Sequence, residues 1–151
     1  MFDRSFLRLC AALAPLALLT PTSSVAQDGP MGIGFAQAEE GTWWCRDGDP
    51  GEALACAIAK CAAEGPGLDG CVPTQWCAPA RWTGLMTVWL ADFHSTQVLC
   101  GITSREALEA ALAALCNASL YASSCDLFLV IDPDGGEMPV DGVGFPGGGA
   151  E

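Results

Sequence analysis

The apolar rhythm changes period along the chain. From Asp49 to Gly65, "DPGEALACAIAKCAAEG", Leu54, Ile58 and Cys61 recur at i, i+4 and i+7, which predicts a helix. Asp49 fits its N-cap, Pro50 its first position and Glu52 the third position of a capping box, and Gly65-Pro66-Gly67 stops it. The following "CVPTQWC", Cys71 to Cys77, reads as a loop pinned by Pro73 and its flanking cysteines. Trp82–Leu90 and Thr96–Ile102 have strand character and are joined by "ADFHS". Thr103 and Glu106 form a second capping box, opening a helix whose stripe is Leu108, Ala111, Leu112 and Leu115. "LFLVI", Leu127 to Ile131, is the continuous apolar run of a strand covered on both faces.

These elements predict an α+β fold, a small antiparallel sheet with two main helices packed on it, as a single disulfide-rich domain over residues 41–134. Residues 27–40 and 135–151 lack periodicity and are rich in Gly and Pro. They read as a flexible leader and a disordered tail.

The N-terminus reads as an export signal. Arg4 and Arg8 precede an apolar run of about 11 residues, Leu9 to Leu19, too short for the roughly 20 that span a bilayer. "SVA" ending at Ala26 sets cleavage before Gln27, and Cys10 leaves with the peptide. No later segment has the length and apolarity for membrane insertion. The expected location is the periplasm or the exterior.

Removing residues 1–26 leaves 17 acidic and four basic side chains, a net charge of −13. Such a field repels phosphate backbones and anionic membrane surfaces, which excludes nucleic acid as a partner; the charge reads first as keeping a small exported protein soluble, with a basic protein surface as the alternative reading. Eight cysteines remain: Cys45, Cys56, Cys61, Cys71, Cys77, Cys100, Cys116 and Cys125. An even number in a small exported chain predicts a disulfide framework. On a regular helix the Cα atoms of Cys56 and Cys61 stand roughly 8–9 Å apart, beyond the approximately 7 Å limit, so the two cannot bridge each other. Cys45 and the Cys71/Cys77 segment are the nearest partners. Residues 41–80 hold five of the eight and residues 81–134 hold three, so full pairing requires a bridge between the halves.

No catalytic set stands out. The single histidine, His94, has Ser95 and Asp92 beside it, but neighbours on a strand or turn do not normally converge as a triad requires. The acids Asp47 and Asp49, and Asp132, Asp134 and Glu137, miss the EF-hand spacing and are explained by capping and turn formation. No short CxxC pair is present to seed zinc or thioredoxin-like chemistry. No metal or cofactor is therefore expected. Of the five tryptophans, Trp43, Trp44 and Trp76 are the candidates for an exposed patch that binds carbohydrate or protein.

The segments "WTGLMTV" (Trp82 to Val88) and "SREALEAALAALC" (Ser104 to Cys116), with Cys125 after them, resemble a family of bacterial exported domains of unknown function, the one numbered 4189. Its members run strand, strand, Ala-rich helix ending in Cys, then a further Cys. The resemblance implies an exported, disulfide-containing α+β module and carries no catalytic residues. The functional expectation is a non-enzymatic, inhibitor- or immunity-like interaction module. The alternatives are a small envelope enzyme, a thiol-redox protein or a purely structural envelope component.

Overall fold

The computed structural model describes residues 30–148; the expected export signal, its expected cleavage site and Cys10 lie outside them. In chain order the elements are β1 (Gly32–Ala38), β2 (Gly41–Asp47), α1 (Pro50–Glu64), β3 (Val72–Cys77), β4 (Trp82–Trp89), β5 (His94–Ile102), α2 (Arg105–Ala118), β6 (Ser124–Ile131) and β7 (Glu137–Pro146). They form two antiparallel sheets, ordered β2-β1-β3 and β5-β4-β6-β7. The α+β class holds, with two sheets where the sequence suggested one.

The chain makes the same ββαβ unit twice: a hairpin, a helix, then a strand that returns to the first strand of the hairpin. β1 shows how the sequence builds the first unit. Ile33 and Phe35 alternate with Gly32, Gly34 and Ala36, so a strand with period 2 carries large side chains on one face and small ones on the other. Ile33 and Phe35 meet Leu85 and Ile131 of the second sheet in a fully buried core, with Leu129, Val98 and Trp44 around it. Each such large apolar side chain is stabilising by about 1.5–3 kcal/mol.

The small face receives α1. A Cβ on Gly34 would lie 2.9 Å from the backbone of Ala53 and Leu54, so the helix rests directly on the strand. That close approach explains why the buried stripe of α1 is Ala53, Ala57 and Cys61. The expected stripe is corrected here, because Leu54 and Ile58 flank the contact and are only half-buried. The second unit solves the same problem with larger residues. α2 buries Leu108, Leu112 and Cys116, and a Cβ on Gly84 would meet Leu112 Cδ1 at 2.7 Å, so leucine ends fill the gap between helix and strand. Leu115, placed in the predicted stripe, is 50% exposed. The layers run α1, first sheet, second sheet, α2.

Both helix starts differ in detail from expectation. Asp49 Oδ1 accepts from the N–H groups of Gly51 and Glu52 at 2.7 and 3.1 Å, but its own N–H donates to Asp47, not to Glu52. Ser104, rather than Thr103, caps α2 and accepts from the Ala107 N–H at 3.2 Å. The backbone N–H of Glu106, and then the Ser104 hydroxyl, hold the Glu106 carboxyl below the usual carboxylate range. Its folded value is depressed, so its contribution to stability is present above the ordinary glutamate range and lost as pH falls through the lowered value.

All eight cysteines pair: Cys45–Cys56, Cys61–Cys71, Cys77–Cys100 and Cys116–Cys125, with Cα separations of 5.8, 6.0, 6.2 and 6.1 Å. Cys56 and Cys61 bridge to different partners, and Cys77–Cys100 is the link between halves that parity requires. The Cys61–Cys71 and Cys116–Cys125 bridges are equivalent, each tying the end of a helix to the segment that leads into, or forms, the next strand.

Three segments read from the sequence as irregular are strands. Residues 32–38 of the supposed leader are β1, the central strand of its sheet; residues 137–146 of the supposed tail are β7; and "CVPTQWC" contains β3. β3 and β7 are edge strands, where Pro73, Pro139 and Pro146 are tolerated. The turn before β7 is fastened across the sheets: Arg46 donates to the Pro133 carbonyl at 2.6 Å, and the Trp44 indole to Glu137 at 2.9 Å. Among the described residues no helix is long and apolar enough to cross a membrane.

Candidate binding groove between the hairpin tips

The inter-sheet core ends where its side chains turn polar. Two residues beyond Phe35 on β1 is Gln37; two beyond Leu85 on β4 is Thr87. Counting from Gly34 and Gly84, these occupy the same position in their two units. Gln37 pairs across its hairpin with Thr42, and Thr87 with Thr96. The sheets are no longer sealed by hydrocarbon there, and a groove of about 560 Å³ opens between the two hairpin tips. Its size is within the usual range for ligand clefts.

The four half-buried side chains Gln37, Thr42, Thr87 and Thr96 supply hydrogen-bond donors and acceptors from equivalent positions. Two phenylalanines add apolar surface. Phe93, in the β4–β5 turn, is 66% exposed, and Phe128 is 41% exposed. Phe128 reaches the groove because β6 bulges: Leu129 pairs with Leu85 and Leu127 with Met86, leaving Phe128 as the extra residue. Such bulges re-aim a side chain. The rest of the apolar run behaves as expected, with Leu127 and Val130 towards α2 and Leu129 and Ile131 towards the first sheet.

Charge completes the groove. Glu39 and Glu40 form the exposed turn of the first hairpin, and among the described residues no Lys or Arg lines the cleft. His94, read as a loop residue, begins β5 and lies in the groove wall. Its ring rests 5.2 Å from that of Trp89, whose indole N–H donates to Asp126 at 2.5 Å. Trp89 and His94 are cross-strand partners, so the indole stands beside the histidine.

The three tryptophans singled out from the sequence are not brought together. Trp43 and Trp44 are consecutive on β2, so their rings fall on opposite faces of the sheet. Trp43 packs between Gly41 and Gly65 and donates to Glu64 at 2.9 Å. Trp44 belongs to the inter-sheet core, with the Lys60 ammonium 5.3 Å from its ring. Trp76 covers Gly32, its indole N–H buried without a hydrogen-bond partner. All three are half-buried strand residues, so the reading of them as an exposed patch is corrected.

The acidic clusters have local work. Asp49 caps α1 while Asp47 accepts from the Asp49 N–H, and Asp132 accepts from the N–H groups of Asp134 and Gly136 at 2.8 Å each, building the turn before β7. Among the described residues no group of three or more His, Cys, Asp or Glu is disposed to hold a metal ion.

Comparison of the chain with family models, with curated proteins and with solved structures gave no match.

Proposed function

We propose that the protein is an exported, non-enzymatic binding module of the periplasm or the exterior, and that its ligand lies in the groove between the hairpin tips. The observation that carries this reading is the break in the inter-sheet core at Gln37 and Thr87. A stack that needed only to be stable would close there with apolar side chains, as it does two residues earlier at Phe35 and Leu85. Four disulfides support an oxidising compartment and a rigid frame, which lowers the entropy lost when a site is occupied. The resemblance of residues 82–125 to an exported family fits the same compartment.

Backbone-amide shift mapping tests the proposal. The protein is titrated in turn with a basic peptide, a neutral oligosaccharide and an acidic peptide. Saturable shifts gathered on residues 37–42, 93–96, Thr87 and Phe128 with at least one of the three are expected. Shifts centred on Trp43 and Trp76, or none with any ligand, would overturn it.

A further inference from the structure

We infer that the groove takes a cationic peptide segment, an extended stretch of a partner protein bearing Arg or Lys; this rests on the groove being the binding site. Charge is the first reason. Glu39 and Glu40 enter the groove wall, whose one basic lining residue among those described is His94, with no Lys or Arg. Beyond the export signal the chain has four basic side chains, Arg46, Lys60, Arg81 and Arg105. Arg46 is held by the Pro133 carbonyl, Lys60 by the Trp44 carbonyl and Arg105 by Glu109, and neither these three nor Arg81, which precedes β4, lines the cleft. The negative potential at the hairpin tips is therefore available to a ligand. An anionic ligand would meet it as repulsion.

The aromatic residues narrow the class. Phe93 and Phe128 have no polar handle, and burying them would remove apolar surface from water. An Arg or Lys side chain suits both features at once, because its hydrocarbon stem lies on an aromatic ring while its charged head reaches a carboxylate. Gln37 with Thr42, and Thr87 with Thr96, are cross-strand pairs that add hydroxyl and amide groups able to bond the N–H and C=O groups of a peptide backbone. A neutral sugar could use the hydroxyl floor and a phenylalanine, but it would leave the carboxylates without a partner of opposite charge.

The test uses the full mature protein and a blocked, dye-labelled hexapeptide, Gly-Arg-Gly-Gly-Arg-Gly, with its citrulline counterpart and a neutral glucan oligosaccharide as comparators. Fluorescence anisotropy is expected to show saturable binding of the arginine peptide that weakens at high salt, with little binding of the citrulline peptide. The double variant Glu39→Gln with Glu40→Gln should weaken it about tenfold or more, the scale of losing a charge-assisted contact. Phe93→Ala should also weaken it. Glu52→Gln with Asp134→Asn, which removes the same charge elsewhere on the surface, should leave the affinity within about twofold. Equal loss from both double variants would reduce the effect to the general acidic field and overturn the inference. If the oligosaccharide bound with groove shifts and the arginine peptide did not, the cationic ligand would be wrong while the binding groove stood. Silence from all three would remove both.

Discussion

At the residue scale, two glycines carry the contrast between the units. A Cβ on Gly34 would press on helix backbone, which cannot move without shifting α1, whereas on Gly84 it would meet the ends of Leu108 and Leu112. Gly34→Ala should therefore cost about 1–3 kcal/mol, the usual range for overpacking, and Gly84→Ala less, because leucine ends can rotate away. Urea unfolding of the two variants checks this; equal losses would contradict the difference in helix seating. Phe128 is a second decisive residue. Its place in "LFLVI" correctly marks a strand covered on both faces, yet a bulge turns this one side chain to the groove. Periodicity alone cannot place a bulge, since one extra residue changes the face without changing the composition.

At the element scale, what was legible follows signal strength. α1, α2, β4, β5 and β6 carry long apolar patterns, and the boundaries read from them fall within a few residues of those observed. β1 was not legible because its helix-facing positions must be Gly or Ala, so "GIGFAQA" has only Ile33 and Phe35 to announce a strand. β7 was hidden by Pro and Gly, which an edge strand accepts and a central strand does not. The disulfide framework was partly legible. Helix geometry forbade Cys56–Cys61 and parity demanded a bridge between the halves, while the specific partners came from which strands lie side by side. The bridges are also predictive. Removing Cys61–Cys71 or Cys116–Cys125, which close 10- and 9-residue separations, should cost about 3 kcal/mol each. Cys77–Cys100, spanning 23 residues and joining the two sheets, should cost somewhat more. Paired Cys→Ala variants followed by denaturant unfolding give the comparison. An unchanged midpoint on loss of Cys77–Cys100 would show that the apolar inter-sheet core holds the units together without it.

At the scale of the whole molecule, duplication of a ββαβ unit places equivalent strand positions face to face. Where those positions are large and apolar they make a core; where they are Gln37 and Thr87 they make the mouth of a groove. This site was not legible in the sequence, because its residues come from both hairpins and a bulge, and each alone is an ordinary Thr, Gln, Glu or Phe. The only local hint was the "FHST" run from Phe93 to Thr96, which reads as the end of a connection and the first residue of a strand until the first hairpin is laid beside it. The tryptophans drew attention by rarity, and three of them instead brace the first sheet. The proposed cationic ligand rests on the two glutamates at this mouth, whose lining holds no Lys or Arg among the described residues.

Site-specific photo-crosslinking in the protein's native setting addresses the groove most directly. Benzoyl-phenylalanine replaces Phe93 in the groove or, as a control, Met31, which is 50% exposed before the start of β1, away from the hairpin tip. Capture at position 93 that is competed by excess unlabelled protein, with none at position 31, is the predicted result. Equal capture at both positions, or capture at 31 alone, would contradict the assignment of the groove as the face that meets the partner.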